Sequence, residues 1–427
     1  MLQVAQTNRV RNKGGFLSST IWLYVLKLSG VILPLFTVPY ITRVLGVETY
    51  GTYTFVNGFT AYFVLFIDFG FILSATKAVT EQQSNKEALS NVLCSVTCAK
   101  LLISVVSIAI AGLLCFIVPA LQKNFWYAFL SVAAVAFTSL APDFFYRGLE
   151  RMQGVALRYL LARGTATALV FVFIKEPKDL ILLPAFNAGG EILGAVMAWS
   201  EIIFLQKIKL KIPPFTHIIG AIKDSAKYFY SRFAIAAYTN TNAFVIGLFS
   251  PIQAGLFGIA VSVAGSIKGA YAPLSDSLFP YMVRSKNFKA LRILLLFSIP
   301  LSLVVATLLY FLAPLIIRII AGEGYAAAVP LLRLCIPSVI IALPYYLLGY
   351  PALSPLGLSH KANSSVVCAA VFHLFGIGIL AVFGRITPAS LILLTLVTES
   401  IALSLRLYYL LSFTRKTHKG AFFVTSG

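Results

Sequence analysis

The sequence predicts an all-α membrane protein of about twelve transmembrane helices, arranged as two pseudo-symmetric six-helix bundles. Three observations carry that expectation: apolar runs of bilayer length along the whole chain, basic residues gathered in alternate connections, and a weak internal repeat at half the chain length. Of 427 residues, 59% are apolar and 11% charged, whereas a soluble protein carries about a quarter charged residues. Twelve spans use about 36 residues each, one membrane helix of roughly 20 residues plus a short connection, so no large soluble domain fits.

The spans read as 16–41, 51–76, 89–118, 125–146, 155–174 and 180–205, then 228–249, 255–283, 291–317, 326–348, 362–383 and 388–413. Helices are expected because each satisfies its own backbone hydrogen bonds in lipid, and the runs lack the period-2 alternation of a barrel. The longest polar stretch, 206–227, separates the halves. The expected organisation is therefore an N-terminal bundle over 1–205, a basic cytoplasmic linker over 206–227, a C-terminal bundle over 228–413 and a cytoplasmic tail over 414–427.

Orientation follows from counting Lys and Arg in alternate connections. Of the 34 basic residues, 22 fall in the set that includes both termini and the 206–227 loop, and six in the other set: Arg43, Lys123, Lys175, Lys178, Arg318 and Arg385. Both termini and the central loop are thus expected in the cytoplasm, and the +20 net charge reads as a topology signal rather than a nucleic-acid footprint. The first apolar run is too long for a cleaved signal peptide and no small-x-small site follows it, so it reads as an uncleaved span. Cys94, Cys98, Cys115, Cys335 and Cys368 all fall in spans and read as apolar packing residues. His217, His360, His373 and His418 are scattered, so neither a metal site nor a cofactor is expected.

Sliding the chain by 204 residues lays Leu45-Gly46-Val47-Glu48-Thr49-Tyr50-Gly51-Thr52-Tyr53 onto Phe249-Ser250-Pro251-Ile252-Gln253-Ala254-Gly255-Leu256-Phe257. Gly51 and Gly255 each open a span and are followed two positions later by an aromatic residue. Both halves start with an outward-running helix, so they would be parallel repeats of the kind transporters use.

Six basic residues fall within spans (Lys27, Lys100, Arg163, Lys268, Arg333 and Arg406), as do Asp68, Asp143, Glu191, Asp276 and Glu399. An ionisable group at the bilayer centre costs about 2.5 to 3.5 kcal/mol on insertion scales, so it should face a cavity or a partner. Arg406, Arg333 and Lys100 lie near span ends and read as side chains that snorkel to the headgroups; Asp143 reads as reaching the surface beside Arg147. Lys27 and Lys268 lie deeper and are the expected cavity cations, with Arg163 a third candidate. Glu191, beside Gly189 and Gly190, is a candidate for ion coupling. Asp68 is expected either to couple an ion or to neutralise Lys27, and Asp276, eight residues from Lys268, to moderate its charge. In span seven, Tyr238-Thr239-Asn240-Thr241-Asn242 forms a polar patch; Tyr238, Asn240 and Asn242 are the expected sugar contacts. Prolines within spans, among them Pro142, Pro273 and Pro337, permit bends.

Several stretches carry a family resemblance. Pro39-Tyr40-Ile41-Thr42-Arg43-Val44-Leu45-Gly46 with Tyr50-Gly51, Asp68-Phe69-Gly70 through Lys77, Phe145-Tyr146-Arg147-Gly148-Leu149-Glu150-Arg151-Met152, and Gly247-Leu248-Phe249-Ser250 with Gly255 to Gly258 resemble the Wzx-type polysaccharide-unit flippases. The resemblance implies the multidrug/oligosaccharidyl-lipid/polysaccharide (MOP) exporter superfamily, with two bundles forming a V around a cavity. It further implies a non-enzymatic transporter in a bacterial inner membrane, moving an undecaprenyl-diphosphate-linked oligosaccharide, such as an O-antigen unit of lipopolysaccharide, to the periplasmic leaflet. Membrane lipid would be a partner, as would a proton or sodium ion and polysaccharide polymerase machinery. A drug or metabolite exporter of the same superfamily is the first alternative, although a pocket for cationic drugs should be acidic. A membrane-embedded sugar polymerase or glycosyltransferase is the second, although no outward connection is long enough for the usual catalytic loop. No Gly-rich nucleotide motif suggests an ATP-driven pump.

Overall fold

The computed structural model describes residues 2–416. Side chains are described over that range except at 2–21, 23, 24, 26–28, 31, 230–232, 234–237 and 414–416. Lys27, one of the two expected cavity cations, therefore lies outside the described side chains. The described chain is helical, with no strand.

The first helix, α1 (Leu2–Asp68), is two helices joined across Gly46, where φ 70° and ψ 174° leave the helical region. It is followed by α2 (Phe71–Glu81), α3 (Lys86–Ile117), the short α4 (Pro119–Gln122), α5 (Phe125–Thr138), α6 (Asp143–Gly148), α7 (Met152–Phe173) and α8 (Leu182–Ser200). Then come α9 (Phe215–Phe249), α10 (Pro251–Ser285), α11 (Phe288–Ala321), α12 (Ala328–Leu347), the short α13 (Tyr350–Leu353), α14 (Ser359–Val382) and α15 (Pro388–Lys416). Ten segments among the described residues are long and apolar enough to cross a membrane. One of them, Ile32–Glu81, runs through parts of both expected spans one and two, and α9 is not among the ten. The second half of α9 carries Arg232 and the polar stretch Tyr238-Thr239-Asn240-Thr241-Asn242, which lower its apolarity.

Two expected spans are broken for local reasons. Span two divides after Asp68, where Phe69 (φ 40°) and Gly70 (φ 81°) both adopt left-handed backbone. A Cβ on Gly70 would lie 2.8 Å from the Tyr228 Cβ and 2.9 Å from the Ser225 carbonyl, so glycine serves both the turn and the close approach of α9. Phe69 stacks on Phe229 at 4.6 Å, and the Ser74 and Ser225 hydroxyls hydrogen-bond at 2.5 Å. Span four divides between α5 and α6 ahead of Pro142, which cannot donate a helical bond.

The chain forms two compact units, one of 1–46 with 56–233 and the other of 47–55 with 234 onward. In the first unit α7 packs on α8, α5 on α3 and α8, and α2 on α6. Its core includes Phe71, Leu93, Phe144, Phe145, Tyr146 and Ile202. In the second unit α12 packs on α10, α11 and α15, and α14 on α15, around Leu278, Met282, Leu343, Leu347 and Leu410. Large apolar side chains also cover the outside: on α11 alone, Leu296, Phe297, Val304, Leu308 and Phe311 are all more than half exposed. Patches of that size are foreign to soluble monomers and suit contact with hydrocarbon.

In a bilayer, helices associate through close packing rather than a hydrophobic driving force, and the glycines mark where this happens. A Cβ on Gly51 would lie 1.7 Å from the Pro251 carbonyl oxygen, and one on Gly255 2.4 Å from that of Val47 and 3.2 Å from the Gly51 nitrogen. The two glycines matched by the 204-residue offset thus pack against each other within the second unit. Gly190 makes the equivalent contact in the first unit, where a Cβ would meet the Ala162 carbonyl at 2.5 Å.

Candidate functional site

The second unit encloses a cavity of about 610 Å³ whose walls come from α9, α10, α12, α13, α14 and α15. Lys268 projects into it from the middle of α10, 17 residues from Pro251 and 17 from Ser285. Its side chain is only 18% exposed, so water is not its main partner. Its ammonium donates instead to both carboxylate oxygens of Glu399, at 2.8 and 3.0 Å, and to the Ser338 hydroxyl, which donates in turn to Glu399. Three helices, α10, α12 and α15, each contribute one member.

Arg406, two turns beyond Glu399 on α15, lines the same cavity. It is 6% exposed. Its guanidinium lies 3.8 Å from the centre of the Tyr345 ring, a cation–π distance, and donates to the Tyr345 carbonyl at 2.6 Å and the Ser365 hydroxyl at 3.1 Å. The sequence assigned Arg406 to the headgroups; the structure buries it, because Tyr345 and Ser365, distant in sequence, supply the ring face and acceptors that lipid lacks. Behind the wall sits His373, fully buried. Its Nδ1 meets the Thr398 hydroxyl at 2.8 Å, and its Nε2 meets the Asn242 Oδ1 at 3.0 Å. Asn242 donates onward to Thr395 at 2.9 Å.

The expected sugar contacts divide. Tyr238 and Asn242 line the cavity together with Tyr345, Tyr346, Tyr350 and Asn363, whereas Asn240 is half-buried and outside the lining. Asp276 lines the cavity too, but Lys268 forms its ion pair with Glu399, 131 residues away.

In the first unit the charges pair between helices. Arg163 contacts Glu191 at 3.3 Å and donates to Asn187 at 3.2 Å, so the third candidate cation and the candidate coupling carboxylate are each other's partner. Arg158 is buried, 3.3 Å from Glu201 and 4.0 Å from Asp143, with its guanidinium 3.9 Å above the Tyr146 ring. Tyr146 donates to the Ala198 carbonyl at 2.7 Å. Lys100, assigned from sequence to the headgroups, is also buried, with Asp143 and Glu191 as its electrostatic neighbours. Asp143 itself is half-buried, with Arg158 at 4.0 Å. Asp68 ends α1 at the break described above.

The linker is pinned rather than loose. Lys86 donates to the Gln206 carbonyl, Ser90 to that of Lys209, and Lys211 pairs with Glu87 at 2.6 Å. Among the described residues no group of three His, Cys, Asp or Glu could hold a metal ion, and all five cysteines are free, with Cys368 exposed.

An all-helical, multi-pass membrane protein with a charged and tyrosine-lined cavity inside one of its units is the class that fold and site define. A family model described as "Polysaccharide biosynthesis protein" matches residues 16–286, and the chain belongs to that family. It is 22% identical over 408 residues to a protein of Escherichia coli (strain K12) named "Putative O-antigen transporter", spanning 93% of this chain and 97% of that one. A protein of the same name from Shigella dysenteriae is 22% identical over 314 residues, 71% of this chain and 77% of the other. Among solved structures, lipid II flippase MurJ matches with a TM-score of 0.73 at 15% identity, over 92% of this chain and 87% of that one. A multidrug resistance MATE family transporter of the MOP superfamily matches at 0.70 and 13%, over 93% and 99%. At such identities the likeness is one of fold, and the fold is that of the MOP superfamily.

Proposed function

We propose that this protein moves an undecaprenyl-diphosphate-linked oligosaccharide from the cytoplasmic to the periplasmic leaflet of a bacterial inner membrane by alternating access, without chemical change to the cargo. The observation that carries the reading is Lys268, held at the midpoint of α10 and facing a cavity. Bringing a diphosphate out of water costs several kcal/mol unless a charged partner receives it, and a desolvated cation is that partner. The tyrosine rings and the Asn242 and Asn363 amides around it suit sugar faces and hydroxyls. The polyprenyl tail would stay in lipid while the head group crosses, and both termini with the 206–227 linker would face the cytoplasm. Lys27 and Arg163 are proposed as further contacts for the head group.

The test is export of a lipid-linked oligosaccharide in a strain lacking its own flippase. Lys268→Ala should lower surface polysaccharide at least tenfold at unchanged protein level; normal export would remove the cavity from the mechanism. Ion coupling is assigned to Glu191, with Asp68 as the second site. Glu191→Gln should flatten the dependence of transport on the proton or sodium gradient, and an unaltered dependence would exclude it. Association with a polymerase would be read from co-purification.

A further inference from the structure

We infer that Glu399 is an internal counter-anion that the cargo's anionic group must displace from Lys268, so that the cavity of the second unit works as an anion-exchange site rather than an open cationic one. The inference rests on the reading above that the cargo carries a phosphate-class anion, and it concerns how that anion gains the lysine.

The argument is one of donor counting. A lysine ammonium has three N–H donors and no acceptor. In this structure all three have an oxygen: Glu399 Oε1 at 2.8 Å, Glu399 Oε2 at 3.0 Å and the Ser338 hydroxyl. No donor is left for a ligand. An incoming phosphate oxygen can reach the ammonium only by taking the place of one of these acceptors, and the carboxylate is the one that matches it in charge and geometry. Ser338 keeps its position between the two, able to accept from Lys268 while donating to whichever anion is present.

The arrangement also sets the strength of binding. While Glu399 holds the lysine, only a fraction of molecules offers a free ammonium, and apparent affinity falls by that fraction. A transporter profits from this, because a partly desolvated lysine facing a diphosphate with no competitor would hold its cargo too long to release it. Glu399 and Lys268 keep 17% and 18% of their side chains exposed, toward the cavity, so the pair is reachable from the space the cargo would occupy.

The experiment is binding of farnesyl diphosphate, with farnesol as the uncharged control, to purified full-length protein in lipid nanodiscs. Glu399→Gln should bind the diphosphate at least tenfold tighter than wild type and export polysaccharide more slowly, with farnesol binding unchanged. Glu399→Asp, which keeps the charge but draws it back by one methylene, should fall between the two and serves if the glutamine variant does not fold. Diphosphate binding no tighter than wild type in the folded variants would overturn the exchange. Failure of the underlying reading looks different: wild type and Lys268→Ala would then bind the diphosphate equally, or neither would bind it.

Discussion

The two units invest their intramembrane charges differently. In the first, Arg158, Glu201 and Asp143, and separately Arg163, Glu191 and Asn187, join α7 to its neighbours where helices already touch. In the second, Lys268, Glu399 and Arg406 line a space large enough for a ligand. The first arrangement uses ionic contacts to close a bundle; the second keeps them at a wall. A charge within a membrane span is therefore not by itself a sign of transport chemistry, and what separates the two uses is whether the partners line a cavity.

Stability measurements in nanodiscs can break or sharpen this contrast. The largest effect is expected for Arg158→Met, which takes from Glu201 its nearest cation, leaving it Arg151 at 4.0 Å, and removes the stack on Tyr146; losing one partner of a buried pair costs about 3 kcal/mol or more, seen as a large drop in melting temperature. Lys268→Met should cost less, about 2 kcal/mol, because Glu399 turns to cavity water, while its transport defect is the greater of the two. Equal destabilisation by both would erase the distinction. His373→Leu leaves the Asn242 Oδ1 without its donor behind the cavity wall, a loss of about 1 to 2 kcal/mol, with transport affected only as far as α9 and α14 loosen. The smallest effect belongs to Arg163→Ala: its side chain is 40% exposed, and solvent-screened pairs contribute under about 1 kcal/mol. A transport loss far beyond that stability change is the outcome that supports Arg163 as a head-group contact; a loss no greater than it would leave Arg163 a structural residue.

Hydropathy made the spans legible, and the 204-residue offset made Gly51 and Gly255 legible as a matched pair before their contact was known. What sequence could not supply was long-range partnership. Lys268 had an acid eight residues away in Asp276, yet it pairs with Glu399. Arg163 and Glu191 were separate candidates until α7 and α8 were seen to bring them together. Arg406 and Lys100 read as snorkelling residues because depth along a span was the only available measure, and depth does not tell whether Tyr345 or Asp143 waits beside them. His373 lies mid-span, and its partners Asn242 and Thr398 lie on two other helices.

The stretch around Tyr146, Arg147 and Gly148 has a consequence for reading other sequences. A Cβ on Gly148 would lie 2.5 Å from Val79, its carbonyl receives bonds from Thr80 and Gln83, and Tyr146 supplies the ring beneath Arg158. These residues knit α2 to α6 inside the first unit. A chain bearing the same stretch would thereby announce how its first bundle closes and nothing of what it carries. On the reading proposed above, cargo is written instead at the positions equivalent to 238, 242, 268, 338, 399 and 406, where two chains with the same signature are free to differ.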